Sequence, residues 1–229
     1  MSTTGPPATG WTPPDEDEAW ALSLVARVER DPLPAHTDVL VAAARAVVLL
    51  LTDERTTDPE GEFAAPVRAW RDRRIRKITR RARGVRWERT GQLAHVEARS
   101  GDAAVRAFAP HRREEVPDVL RPLQVGGLDL PDPEGLVVPS PAADLLTVRL
   151  CPDVRMTTGK AAAQVGHAAQ LAWEQLPADA VAAWRAGGFG VRVITGAPVA
   201  PAAERVDVRD GGFTEVPPGT VTVSAAFEG

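Results

Sequence analysis

At 229 residues the chain is long enough for one large domain or for two of about 100 residues each, and its 44% hydrophobic and 25% charged content is that of a globular protein. A net charge of −4 excludes a molecule that draws nucleic acid to its whole surface, although a local patch is compatible with it. The single Cys151 excludes an intramolecular disulfide framework and a cysteine-only metal site, and points to a reducing cytoplasm.

In chain order, "MSTTGPPATGWTPPDEDEAW" has neither the basic start nor the apolar core of a secretory signal, and residues 1–17 read as a disordered tail. Residues 22–28 predict a strand, and the prolines at 32 and 34 break the chain before a helix over 36–53. Its apolar core, "VLVAAARAVVLLL", is too short to span a bilayer and is interrupted by Arg45, so it reads as a buried helix of a soluble protein. A helix over 63–71 follows, then the most basic stretch, "RDRRIRKITRRARGVRWER". Residues 93–98 and 105–108 predict strands joined at the "RSGD" turn. Proline and glycine recur through 111–143, which reads as a connector packed as an extended arm. Beyond it the pattern predicts a strand over 145–150, helices over 160–175 and 179–185, and strands over 191–194, 206–208 and 221–225. Strands alternating with helices predict an α/β fold, three layers deep, with a small mixed sheet.

The chain also carries a repeat. Residues 27–51 lie without gaps on 149–173, "VRAWR" (67–71) recurs as "VAAWR" (181–185), and "VEARSG" (96–101) as "VDVRDG" (206–211), in the same order. On this basis the fold is expected to be duplicated as a pseudo-dimer, with units at 18–110 and 144–229.

Only two lysines, Lys77 and Lys160, stand among the chain's 27 cationic residues. Lys160 follows Gly159 at the start of an alanine-rich helix, where its charge opposes the helix dipole. Thr157 or Thr158 can cap that helix, and Lys160, Gln164 and His167 fall along one stripe. A lysine beside the free N–H groups of a helix start is a natural anion site; the plainer alternatives are a solvated lysine and a packed structural histidine. The segment is not a Walker A loop, because Val154 and Ala161 replace the required glycine and hydroxyl residue. The four histidines show no metal-ligand spacing, so no metal is expected. A second polar segment, "VRDGGFTEVPPGTVTV" (208–223), puts Asp210 at a strand end before Gly211 and Gly212, with Thr214, Glu215 and Thr222 after it.

Together, "MTTGKAAAQVGHAA" and "RDGGFTEVPPGTVTV" resemble the two signature segments of the peptidyl-tRNA hydrolase 2 family, over about residues 145–226. The resemblance implies a small α/β domain with a four-stranded mixed sheet. It also implies hydrolysis of the ester joining a peptide, or a blocked amino acid, to the tRNA 3′ end, without a cofactor. Carried over by position, Lys160, Asp210, Thr214 and Thr222 become the expected catalytic residues, and Gly159, Gln164 and His167 the expected substrate contacts. Lys160 would supply charge to the oxyanion or a phosphate, Asp210 would orient Lys160 or a water, and the threonines would place the reacting group. The chain departs from the family at Gly211, Phe213 and Glu215, lacks room for a helix between 194 and 206, and ends in "AAFEG".

In the N-terminal unit Thr37-Asp38 stands where Gly159-Lys160 does, and Ser100 where Asp210 does, so this copy is expected to be inert. It has room for the additional helix in "RARGVRWERTGQL". Its arginine-rich run implies tRNA contact through Arg74, Lys77 and Arg81, with Trp70 and Trp87 either stacking on bases or packing in the core. Two other classes are compatible with the same residues: an RNA-binding pseudoenzyme without turnover, and a protein-interaction module.

Overall fold

The computed structural model describes residues 19–73, 75–195, 204–212 and 216–228. The chain begins with β1 (Trp20–Arg27), whose Leu22, Leu24 and Ala26 enter the core while Val25 faces the other way. Helix α1 (His36–Thr52) is buried along most of its length, a short α2 (Glu54–Thr57) turns the chain, and α3 (Ala64–Arg71) buries Val67 and Trp70. Then come β2 (Arg76–Ala82), α4 (Gly84–Thr90), β3 (His95–Ser100) and β4 (Ala103–Phe108). Two short strands, β5 (His111–Arg112) and β6 (Gln124–Val125), add to β1 and β2. The second half consists of β7 (Leu145–Leu150), α5 (Thr158–Gln175), α6 (Ala178–Ala186), β8 (Gly190–Ile194), β9 (Val206–Arg209) and β10 (Val221–Phe227).

These strands make two mixed sheets. The C-terminal sheet has the order β8-β7-β10-β9, and the main strands of the N-terminal sheet have the order β2-β1-β4-β3. In each, the first neighbouring pair is parallel and the next two pairs are antiparallel. The helices correspond as well. Trp70 and Trp184 occupy matching places in α3 and α6, and each indole Nε1 donates to the carbonyl six residues on, at Arg76 (2.9 Å) and Gly190 (2.7 Å).

Helices α1 and α5 lie side by side between the sheets. Helix α1 rests on β1, β3 and β4 and reaches β8, while α5 rests on β7, β9 and β10 and reaches β2. His36 Nδ1 meets Thr158 Oγ1 (2.8 Å) where the helices begin, and Val47 meets Gly166 farther along. The contacts come in the same order on both helices, so they run parallel. Gly166 makes this approach possible, since a Cβ there would stand 3.1 Å from Val47 Cγ2 and 3.2 Å from Lys77 Cδ. One apolar cluster joins both halves, from Leu22, Val47 and Trp70 to Val165, Trp184 and Val223.

Helix α4 covers the outer face of the N-terminal sheet, placing Trp87 on Val25, Ala104, Phe108, Leu120 and Leu123. The outer face of the C-terminal sheet is polar instead, with Arg149 bound to both carboxylate oxygens of Glu228 (2.9 and 2.7 Å) and Ser224 donating to Asp207 (2.6 Å). The segment expected to be too short for a helix lies mostly outside the described residues, as does the N-terminal tail.

The sequence pattern did not predict the short α2, β5 and β6. The longest element it did not predict is strand β2, because "RKITRRA" reads as surface charge. Its alternation sends Lys77 and Arg81 toward α5 and Arg80 to the outer face, with the aliphatic stems of Lys77 and Arg80 buried. Residues 111–143 cross the molecule as an arm that satisfies orphan N–H groups of both central helices. Pro131 O accepts from His36 N (3.1 Å), Asp132 accepts from Thr37 N and Oγ1 (both 2.7 Å), and Leu128 O accepts from Gly159 N (3.0 Å). Helix α1 has no side-chain cap of its own, so Asp132 takes that role. No described helix is long and apolar enough to cross a membrane.

Candidate functional site

Helix α5 and the end of β9 bring polar residues of the two signature segments together. Thr157 caps the helix, its Oγ accepting from Lys160 N at 3.3 Å. From the first turn Lys160 Nζ donates to Asp210 Oδ2, and one turn later Gln164 Nε2 donates to the same oxygen (2.7 Å). Thr222 Oγ1 on β10 closes the network by donating to Gln164 Oε1 (2.9 Å). The other carboxylate oxygen, Asp210 Oδ1, accepts from Gly212 N (2.8 Å). The main chain of Asp210 is fixed by Thr220 O and Gly219 N. Asp210 is buried and the Lys160 side chain is 13% exposed, so the ammonium is the edge of the cluster nearest to solvent.

This arrangement limits the chemistry. Both oxygens of Asp210 are occupied by donors from Lys160, Gln164 and Gly212, which leaves neither oxygen turned toward a water as a general base. The carboxylate therefore acts as an orienting group. One of the three ammonium protons of Lys160 is committed to Asp210, and a lysine held in this way presents a fixed positive charge to an anionic group.

Gly159 is at the start of α5, but its N–H is satisfied by Leu128 O, and Thr158 Oγ1 accepts from Leu130 N (2.8 Å). The open helix start expected from the sequence is thus closed by the arm. His167 lies on the same stripe farther along α5 and belongs to a second network. Lys77 Nζ donates to His167 Nδ1 (3.1 Å) and to Gln170 Oε1 (2.6 Å), Gln170 Nε2 donates to Glu174 (3.2 Å), and Glu174 pairs with Arg71 (3.0 Å). Both lysines of the chain are therefore inside polar networks anchored on α5. Lys77, expected as a phosphate contact, is buried between the halves with its ammonium over the Trp70 ring (4.8 Å) and does not face solvent.

Burial, then the charges of Lys77 and Lys160, hold the His167 pKa well below that of an ordinary histidine, so the neutral ring is the form that accepts from Lys77. In the unfolded chain the same side chain takes up a proton near its ordinary value of about 6.5. The stability that this contributes is complete above about pH 6.5 and is lost as pH falls toward the depressed folded value. The denaturant midpoint is expected to fall between about pH 7 and 5, and to fall less in His167→Gln, which can still accept from Lys77; equal pH slopes would remove His167 as the cause. His36 and His111, whose pKa values are also lowered chiefly by burial, carry the dependence that remains in the variant.

Of the other expected residues, Thr214 and Arg74 lie outside the described residues, and so do Phe213 and Glu215. Arg81 is half-buried at the end of β2, donating to Gln124 Oε1 (2.6 Å from Nη2) and Gly127 O (3.1 Å). Trp70 and Trp87 are core side chains, 0% and 2% exposed, which decides between the two roles left open for them.

The N-terminal half holds a counterpart of the Lys160–Asp210 pair that the sequence positions alone did not define. Ser100 Oγ donates to Asp38 Oδ1 (2.7 Å), joining the residues aligned with Asp210 and Lys160. The neighbouring Gly101 has φ +48°, and a Cβ there would fall inside the Asp38 carboxylate. The cation is absent from this half, and Asp38 in the first turn of α1 favours the helix dipole that Lys160 opposes. Among the described residues no group of three His, Cys, Asp or Glu side chains gathers where a metal could be held. Comparison of the chain with protein-family models, with curated proteins and with solved structures gives no match.

Proposed function

We propose that the chain hydrolyses the ester between a peptide, or a blocked amino acid, and the tRNA 3′ end. The observation that carries this reading is the convergence of Lys160 and Gln164 on one oxygen of Asp210, with Thr222 tied to Gln164. Residues from two segments some 50 positions apart, whose types match the two signature segments of the peptidyl-tRNA hydrolase 2 family, form one network in a partly open corner of the fold. In this reading Lys160 stabilises the oxyanion that develops when water attacks the ester carbonyl, and Asp210 and Gln164 keep it in place. The common strand order of the two sheets supports a pseudo-dimer in which the N-terminal copy, with Asp38 at the lysine position, does no chemistry.

The arm across the start of α5 favours a second reading, an RNA-binding pseudoenzyme, because it occupies the Gly159 N–H. Incubation with N-acetylaminoacyl-tRNA, with release of the blocked amino acid as the readout, separates the two. The hydrolase reading expects cleavage that falls about 10²–10³-fold in Lys160→Met, the size of effect seen when one oxyanion donor is removed. tRNA retention without cleavage in the unmodified protein selects the pseudoenzyme.

A further inference from the structure

Strands β1 and β2 run parallel, and their carboxyl ends open at one edge of the N-terminal sheet, the end of an open α/β sheet at which ligands bind. A groove of about 520 Å³ lies there, lined by Val28, Arg81, Arg83, Val85, Arg86 and Gln124. Arg83 and Arg86 are exposed, and among the described residues neither forms an ion pair. Glu29 is close enough to feel the charge of Arg83, but it is already engaged by Gly84 N (3.0 Å) and Arg27 (3.1 Å). Val85 is 68% exposed, which gives the groove an apolar side beside its cationic one. Arg81 is pre-positioned, with Gln124 and Gly127 fixing its planar fork.

The groove also adjoins the candidate site. Arg81 Nη1 donates to Gly127 O, and the next carbonyl along the arm, Leu128 O, accepts from Gly159 N at the start of α5. The two carbonyls belong to adjacent residues, so the guanidinium lies within about 10 Å of the start of α5.

We infer that this groove holds the phosphodiester backbone of single-stranded RNA, with Arg81, Arg83 and Arg86 binding its phosphates. Arg83 and Arg86 can each take a phosphate in bidentate fashion. Arg81, whose fork is already held by Gln124 and Gly127, adds its positive charge and its remaining N–H groups, and the exposed valine gives a base an apolar surface to rest on. In relation to the hydrolase reading, which it extends, the groove places the nucleic-acid part of the substrate on the N-terminal copy; its test uses binding alone.

A fluorescein-labelled, unstructured RNA dodecamer is titrated by anisotropy at a series of salt concentrations. The proteins are the unmodified chain, Arg83→Glu/Arg86→Glu, and Lys160→Met/Asp210→Asn. The groove variant is expected to bind at least tenfold more weakly, with the slope of log affinity against log salt reduced by about 1.4, about 0.7 for each phosphate that is no longer neutralised. Because both arginines are exposed, its denaturation midpoint is expected to match that of the unmodified chain. A loss of RNA affinity in the site variant as large as that of the groove variant would place the RNA on the corner around Lys160 instead and overturn the assignment. Unchanged RNA affinity in a folded groove variant, or RNA affinity unchanged while binding of a polyglutamate peptide is abolished, would overturn the assignment. Absence of RNA binding by the unmodified protein overturns it too, and leaves the hydrolase reading to be judged on turnover of the full tRNA ester.

Discussion

Replacing Lys160 by methionine is expected to destabilise the fold by about 3–5 kcal/mol, because it strands the buried Asp210 carboxylate without its cation. Gln164 and the Gly212 N–H remain as donors, but a neutral pair of hydrogen bonds replaces only part of a charge. Asp210→Asn alone errs in the opposite direction, leaving an ammonium against an amide. The double variant Lys160→Met/Asp210→Asn is expected to recover most of the loss. No charge is then buried, and the Gln164 amide can turn over to accept from Asn while Thr222 Oγ1 accepts from it. Denaturant titrations of the four proteins measure the coupling. Assayed on N-acetylaminoacyl-tRNA, the refolded double variant gives the decisive comparison. Abolished cleavage in a stable double variant assigns the charges to chemistry, and retained cleavage removes Lys160 and Asp210 from it.

Truncation of either Trp70 or Trp184 to alanine should cost about 3–5 kcal/mol, the range for removing a fully buried aromatic side chain. The two indoles are equivalent anchors. Each fills the space between its helix and sheet and uses its N–H to fix the start of the following strand, and Trp184 is further packed edge-on against Phe189 and Phe227. Phenylalanine at either position keeps most of the packing and forfeits the hydrogen bond, which costs about 1 kcal/mol on top of the effect of the smaller ring. Since one apolar cluster contains both tryptophans, each variant is expected to unfold in a single transition with a lower midpoint. Two separated transitions in Trp184→Ala would show that the halves do not share a core.

The elements that the sequence made legible are those whose side chains follow a simple period. Helix α1 is an apolar run after two prolines, α5 an alanine run after a threonine cap, and β7 an apolar strand after the arm; their observed limits fall within two residues of the expected ones. Strand β2 was hidden because polar partners on α5 let Lys77 be buried whole, with burial holding its pKa well below the ordinary lysine value, while Arg80 buries its stem. Charge density is therefore a poor guide to exposure at either residue. The Lys160–Asp210 contact became an expectation only through the family resemblance, as no periodicity links a helix start to a strand end 50 residues later. What lay beyond the sequence were contacts made between elements of different halves. Among them are Lys77 against His167 and the arm's carbonyls on the helix starts.

The arm spanning residues 111–143 has a consequence beyond its hydrogen bonds. Because it joins the two sheet-bearing halves covalently, each meets the other at an effective concentration set by a short, partly fixed tether and independent of how much protein is present. Dilution therefore cannot separate them, and mispairing with the halves of other chains is at a kinetic disadvantage. The inner surfaces of α1 and α5 are thereby free to differ, Val47 facing Gly166 and Arg45 occupying the place of His167, as two copies of one polypeptide meeting across a symmetric interface could not.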